Sequence, residues 1–139
     1  MAIFKSIDCV IVKVPDLAAG IHFYSEVLGH EVLWKTDISA GLKLPASGAE
    51  LVLHTELSPE TDFYVDSATE AYKALLSAGA ESVREPFEVQ IGKCAVVKDP
   101  WGNILTIIDC TKGLLKTDGE KNVTGNMPAG LENTSRLHE

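Results

Sequence analysis

Glu60 is the residue of this sequence best placed for acid–base chemistry. It lies two residues before a short predicted strand at residues 62–65, and a carboxylate that faces a cavity can act as a general base because desolvation raises its pKa. The alternative is a solvated carboxylate in the linker at residues 58–60, where acidic side chains usually face water. Glu60 is therefore a candidate catalytic base, with the linker interpretation left open.

The three cysteines, Cys9, Cys94 and Cys110, offer thiols for nucleophilic or metal chemistry. An odd number without CxxC spacing predicts neither a disulfide framework nor a zinc ribbon. Free cysteines are mostly buried, inert side chains. A nucleophilic Cys9 would need a lowered pKa, which its apolar surroundings in sequence do not supply.

Four aromatic side chains are candidates for contact with a planar ligand, because aromatic rings give a large contact area at a small entropy cost. Trp34 and Trp101 could stack on such a ligand, although Trp101 lies in a turn and could instead cover a sheet edge. Phe63 and Tyr64 are adjacent in a predicted strand. Because side chains alternate along a strand, we expect one of these two residues to face a cleft.

The predicted strands and helices that carry these residues occur twice in the same order. Val14 matches Val65 and Gly48 matches Gly102, at offsets of 51 and 54 residues, and such internal similarity indicates a repeat. Each copy is predicted to contain a strand, a helix and three strands. In the first copy these are at residues 7–14, 16–28, 30–35, 38–44 and 50–54, and in the second at 62–65, 67–78, 80–85, 89–98 and 103–109.

The repeat predicts an α+β fold in which two βαβββ units pair into curved mixed sheets around a cleft. One unit cannot bury both faces of its sheet alone, and small-molecule sites favour such junctions. The units span about 5–57 and 60–112, so that residues 1–112 form one domain. Residues 113–139 are predicted to be a polar C-terminal extension, anchored by Leu114, Leu115, Met127 and Leu131.

The charge and apolar content exclude several classes of function. A formal net charge of −8 argues against nucleic acid and anionic membranes as partners, since Lys and Arg supply that affinity. No apolar run approaches the ~20 residues of a membrane helix. The first residues show no apolar core of a secretory signal, which predicts a cytoplasmic protein.

Two segments of the sequence are similar to those of a known protein family. Residues 7–10 and 14–17 lead into FYSEVLG at residues 23–29, and DPWGN at residues 99–103 precedes the last predicted strand. Both resemble marks of the glyoxalase/bleomycin-resistance/dioxygenase (vicinal oxygen chelate) superfamily. The resemblance covers about residues 5–112 of the repeat and implies its paired βαβββ fold.

The resemblance also implies where a metal would bind. Metalloenzymes of this superfamily hold one divalent cation on the first and last strands of each unit. The matching positions here are Cys9, Val52, Glu60 and Thr106. Valine cannot bind a metal and neutral threonine binds one poorly, so we expect no tightly bound metal. His54 would become a ligand if the register slipped by two residues, and otherwise is a polar strand end.

The sequence therefore predicts that the cleft binds a small apolar or aromatic molecule, without a metal or other cofactor, as bleomycin-resistance proteins do. The expected contacts are Cys9, Trp34, Val52, His54, Phe63, Tyr64, Trp101 and Thr106. The alternative is a glyoxalase-like lyase or isomerase, or a dioxygenase-related enzyme, with an atypical metal site or with Glu60 as the base. A homodimer is also expected, because the family usually dimerises.

Overall fold

A computed structural model describes residues 2–127 of the chain. Ten strands and two helices are present in this range, the first helix continuing as a π-helical segment at His22–Val27. The helices are α1 (Leu17–Ile21) and α2 (Ala68–Ser77). The strands are β1 (Ser6–Lys13), β2 (Val32–Lys35), β3 (Ser39–Lys43), β4 (Glu50–His54), β5 (Glu60–Tyr64), β6 (Glu81–Glu88), β7 (Lys93–Lys98), β8 (Ile104–Ile108), β9 (Leu115–Thr117) and β10 (Val123–Asn126).

Eight strands form one curved mixed sheet, ordered β2-β3-β4-β1-β5-β8-β7-β6. The two predicted units are its two halves, and they join through the antiparallel pair β1–β5. In this pair Cys9 lies opposite Asp62, and Ile11 lies opposite Glu60. The offset of 51 residues relates Cys9 to Glu60 and Ile11 to Asp62, so each of these two pairs is the repeat of the other. A local two-fold axis between β1 and β5 has this effect. The predicted fold is confirmed, with one continuous sheet in place of separate sheets.

Both helices begin at the predicted caps and pack on one face of the sheet. The Asp16 side chain accepts a hydrogen bond from the Ala19 amide at 2.9 Å, and Ser67 accepts one from the Glu70 amide at 3.2 Å. Such caps satisfy amides that a helix start leaves open. The packed cores contain Val14, Leu42 and Leu53 in the first half, and Val65, Ala68, Ala71, Ala95 and Ile107 in the second.

The first helix differs from the single α-helix predicted for residues 16–28. After Ile21 its turns widen, and the Leu28 amide bonds the Phe23 carbonyl five residues back. Such π-turns are rare and frequently lie near functional sites. The predicted glycine end is confirmed, since Gly29 has a φ of 89°, a conformation that glycine adopts without strain.

The strands β9 and β10 form a hairpin beyond the predicted eight strands. We call residues 115–126 the C-terminal hairpin. The Lys35 amide donates to the Lys121 carbonyl at 2.9 Å, which attaches the hairpin to the end of β2. The predicted anchors Leu114 and Leu115 pack against a core that includes Ile91 and Ile108. The predicted anchor Leu131 lies outside the described residues.

No helix within residues 2–127 has the length and apolar character that crossing a membrane would require.

Candidate functional site

The candidate site lies on the sheet face opposite the helices, which we call the cleft face. Because side chains alternate along a strand, Leu51 and Leu53 of β4 face the helices. Glu50 and Val52 of β4, together with Cys9 of β1, lie on the cleft face. In the sheet register Cys9 lies between Glu50 of β4 and Asp62 of β5. The middle of the cleft face therefore brings a thiol and two carboxyl groups onto adjacent strands.

A β-bulge adds a third acidic side chain to this group. The register between β1 and β5 shifts between Ile7 and Cys9, so Asp8 is the inserted residue. Bulges re-aim side chains, and here both Asp8 and Cys9 are buried. The metal-binding atoms of Asp8, Cys9 and Asp62 all lie within 4.8 Å of one another. We call these three residues the acid–thiol cluster.

Burial and like charges govern the protonation of this cluster. The pKa of Asp62 is raised to about 9, first by burial, then by interaction with the Glu60 carboxylate and the charge of Asp8. Burial, with the charges of Asp8 and Asp62, also raises the pKa of the Cys9 thiol far above its usual range. The Cys9 thiol donates a hydrogen bond to Asp62 Oδ2 at 3.6 Å. A protonated thiol does not support the nucleophilic role considered for Cys9.

Trp34 covers the first half of the cleft face. Its ring lies directly over Gly41, where an added Cβ would be 2.0 Å from Trp34 Nε1. The same nitrogen donates a hydrogen bond to Glu50 Oε1 at 2.7 Å, and Glu50 is buried. Only glycine at position 41 allows this close approach, so the ring is held at a fixed place beside Cys9 and Val52.

A cavity of about 720 Å³ lies between Trp34 and the C-terminal hairpin. Its volume is within the range of small-molecule sites. The cavity contains Glu50, so it adjoins the acid–thiol cluster through the Cys9–Glu50 register pair. It is lined by Glu31, Leu33, Trp34, Glu50, Leu115, Lys116, Thr117, Lys121, Asn126 and Met127.

The structure brings several predicted site residues together on the cleft face. Cys9, Val52 and Trp34 form one apolar cluster with Ile11. Thr106 is buried on β8 opposite Asp62 in the register. Glu60 is the first residue of β5, not part of a linker, and is partly buried.

Of the other predicted site residues, Tyr64 also lies on the cleft face, whereas Phe63, His54 and Trp101 do not contribute to it. Phe63 packs on the helix face, whereas Tyr64 packs beside Cys94 and Ile108 on the other face, as alternation requires. His54 ends β4, where its Nδ1 accepts the amides of Glu56 and Leu57, both at 3.0 Å, and so closes a turn. Trp101 is 84 % exposed in its turn, and it is not among the residues that line the cavity.

Sequence reasoning missed Asp8, Glu50 and Asp62. The alternation Glu60-Thr61-Asp62 in a strand could have found Asp62, because residues two apart share a face. Glu50 required the true register, in which Cys9 pairs with Glu50 while Val52 pairs with Ile11. No signal in the sequence marks the bulge that turns Asp8 inward.

The family model described as a glyoxalase-like domain matches residues 9–108 of the chain. The chain belongs to this glyoxalase-like domain family. It is thereby a member of the vicinal oxygen chelate superfamily, which confirms the resemblance. A comparison with curated protein sequences finds no match.

The glyoxalase-like chain is also similar in fold to solved structures. Methylmalonyl-CoA epimerase from Mycobacterium tuberculosis has a TM-score of 0.65 and 19 % identity, covering 78 % of this chain and 90 % of its own. Homoprotocatechuate 2,3-dioxygenase from Brevibacterium fuscum, in complex with 3,4-dihydroxyphenylacetate, has a TM-score of 0.57 and 23 % identity, covering 78 % of this chain and 37 % of its own. The Mn(II)-bound glyoxalase from Novosphingobium aromaticivorans has a TM-score of 0.57 and 17 % identity, covering 94 % and 44 %.

The four family positions do not fit the divalent metal ion of metal-dependent members. Val52 offers no ligand atom and packs among apolar side chains. Thr106 offers only a neutral hydroxyl, a poor metal ligand. Cys9 and Glu60 are the remaining potential donors of that set. Two donors out of four do not support the metal chemistry of the superfamily at these positions.

Proposed function

We propose that this glyoxalase-like chain binds a small molecule with an apolar or aromatic part, in the cavity between Trp34 and the C-terminal hairpin. The proposed binding does not use the four family metal positions. The observation that carries the proposal is the cavity of about 720 Å³ with the indole of Trp34 in its wall.

The walls of the cavity suit such a molecule. Leu33 and Trp34 of β2 line it from the sheet, and Leu115 and Met127 line it from the hairpin side. Burial of each methylene of a ligand between such walls contributes about 0.8 kcal/mol. Trp34 is fixed by Gly41 and by its bond to Glu50, so little ordering entropy is lost when a ligand stacks on it.

The polar groups of the cavity would orient the ligand. Lys116 and Lys121 can pair with an anionic group. The Asn126 amide group donates to the Gln90 and Gly113 carbonyls and accepts from the Gln90 side chain, so it holds the cavity wall in place. The dioxygenase of similar fold was solved with 3,4-dihydroxyphenylacetate, an aromatic acid. Glu31 and Glu50 also line the cavity, and Glu50 is bonded by Trp34. An amphipathic aromatic anion whose charge reaches the two lysines is therefore the class of probe that we propose.

Binding of the aromatic sulfonate dye ANS tests the proposal. We expect saturable dye fluorescence with the wild-type protein. The variant Trp34→Ala should raise the Kd by about tenfold, equal to about 1.4 kcal/mol, the size of a good aromatic contact. Gly41→Ala should weaken binding similarly, because its Cβ displaces the indole.

Trp101→Ala is the matched control, because Trp101 is exposed and is not part of the cavity lining. Its Kd should equal that of the wild type, and circular dichroism should show all variants folded. Equal Kd values for Trp34→Ala and the wild type, or equal weakening by Trp101→Ala, would contradict the proposal.

A second candidate function is acid–base catalysis by a lyase or isomerase. The observation in its favour is that Glu60 interacts with the buried Asp62 carboxyl on the cleft face. Under this alternative, Glu60→Gln would abolish turnover of a hemithioacetal made from methylglyoxal and glutathione, while dye binding persisted. Absence of turnover in the wild type would count against this alternative.

We further propose that the chain forms a homodimer. The π-helical segment and its end expose the apolar side chains of Phe23, Val27 and Leu28, at 51 %, 60 % and 51 % of their surface. Two-fold pairing is the commonest way to cover such a patch. Sedimentation should give twice the chain mass of 15.0 kDa.

Val27→Glu should shift the sedimenting species toward the monomer, because a buried unpaired charge is costly. Val83→Glu, at an exposed position of β6, is the matched control and should leave the dimer intact. A wild-type protein that sediments only as a 15.0 kDa species at high concentration would show the dimer proposal to be wrong.

A further inference from the structure

We propose that the acid–thiol cluster of Asp8, Cys9 and Asp62 is a binding site for one divalent metal ion of the zinc class. The proposal goes beyond the function proposed above and does not depend on it, because the metal needs no organic ligand. It departs from the expectation of a metal-free protein, which was drawn only from the four family positions. Cys9 is the one residue that the two sets share.

The ligand atoms of the cluster are spaced so that small side-chain movements would bring them to the separations found around a bound metal ion. A tetrahedral zinc ion with a Zn–S distance of about 2.3 Å and a Zn–O distance of about 2.1 Å holds its sulfur and oxygen about 3.6 Å apart. Cys9 Sγ and Asp62 Oδ2 are 3.6 Å apart. Asp8 completes the group with all ligand atoms within 4.8 Å, a distance that side-chain rotation can close.

An independent observation points to a cation at this place. Asp62 is more than nine-tenths buried, its Oδ1 accepts no hydrogen bond from a donor within residues 2–127, and the carboxyl interacts instead with a second carboxyl, that of Glu60. A buried acceptor without a donor is costly, and a buried carboxylate in a protein is paired or binds a metal. A cation held between Asp62 and Cys9 would satisfy this oxygen or its neighbour.

The donor set selects the class of ion. A thiolate with two carboxylates suits zinc or cobalt, whereas magnesium and calcium prefer oxygen ligands alone. The Cys9 thiol and any protonated carboxyl would release their protons to solvent when the metal binds. Three protein ligands leave a fourth position open, as in catalytic zinc sites. Glu50, the register neighbour of Cys9, lies between this site and the cavity.

Titration of the purified, chelator-dialysed full chain with Co²⁺ tests the proposal. Cobalt bound to a thiolate in a tetrahedral site gives a charge-transfer band and intense visible bands, so the spectrum reports the ligands. We expect one Co²⁺ per chain, displaced by Zn²⁺. The band should be absent in Cys9→Ser and the affinity at least tenfold weaker in Asp62→Asn. Zn²⁺ should raise the Tm of the wild type and not that of Cys9→Ser.

Cys94→Ser is the matched control, because Cys94 is a buried thiol on the same face and its pKa is also raised by burial and by the charge of Asp62. It should keep the band and the affinity. If Cys9→Ser fails to fold, Asp62→Asn and Asp8→Asn, checked by circular dichroism, still decide the matter. The proposal is overturned by no Co²⁺ binding in the wild type, by a thiolate band that survives in Cys9→Ser, or by unchanged affinity in both Asp variants.

Discussion

Replacement of Asp109 by alanine is expected to lower the free energy of unfolding by about 3 kcal/mol or more, since hydrogen bonds to charged groups contribute about 1.5–3 kcal/mol each. The Asp109 carboxylate is almost fully buried. It accepts the Ala68 amide at 2.7 Å, the Lys93 amide at 2.9 Å and the Thr111 hydroxyl at 2.9 Å. Alanine would leave these donors, from the start of α2, the start of β7 and the segment after β8, without an acceptor.

Urea unfolding followed by circular dichroism measures this loss. Asp109→Asn keeps one acceptor oxygen and should be destabilised less, which keeps the test open if the alanine variant does not fold. Asp66→Ala is the control, because Asp66 is 83 % exposed in an ion pair with Lys5 and exposed pairs contribute at most about 1 kcal/mol. Equal losses in Asp109→Ala and Asp66→Ala would contradict the structural role of Asp109.

Replacement of Asp62 by asparagine is expected to stabilise the metal-free protein increasingly as pH rises. Asp62 has a pKa of about 9 in the folded chain against an ordinary value of 3.8. Between these values the folded state holds a proton that the unfolded state has released. The wild type therefore loses up to about 1.4 kcal/mol of stability per pH unit through this group, and asparagine cannot titrate, so the variant is free of that loss.

Unfolding of chelator-dialysed wild type and Asp62→Asn at several pH values between about 4 and 9 measures the effect. The difference in stability should grow with pH in favour of the variant. Asp66→Asn, at an exposed site, should follow the wild-type curve. Parallel curves for Asp62→Asn and wild type would show that the folded-state pKa of Asp62 is close to its ordinary value.

The sequence predicted the fold where local signals and the repeat agreed. Asp16 and Ser67 begin helices because their side chains bond nearby amides, and Gly29 ends the first helix because glycine tolerates its φ of 89°. The matches of Val14 with Val65 and of Gly48 with Gly102 indicated the two halves of the sheet. The hairpin β9–β10 was missed because its short strands are polar and it is held by tertiary contacts with both halves of the sheet.

The candidate site was predicted only in part, because it depends on register. The Gly48–Gly102 match correctly equates Val52 with Thr106, which lie opposite Ile11 and Asp62. Two other features cannot be predicted from the alternation of side chains along a strand. One is the bulge that buries Asp8 beside Cys9, and the other is the approach of Trp34 to Gly41, which links residues of separate strands.

The most direct test of ligand binding in the cavity is the NMR signal of the two tryptophan indole groups during titration with ANS. The chain has two tryptophans, so ¹⁵N-labelled protein gives two indole N–H signals, and the spectrum of Trp101→Phe assigns them. Binding in the cavity predicts that the Trp34 signal shifts saturably, because its N–H bonds Glu50 in the cavity wall, while the Trp101 signal stays in place. A saturable shift of Trp101 alone, or of neither indole, would contradict it.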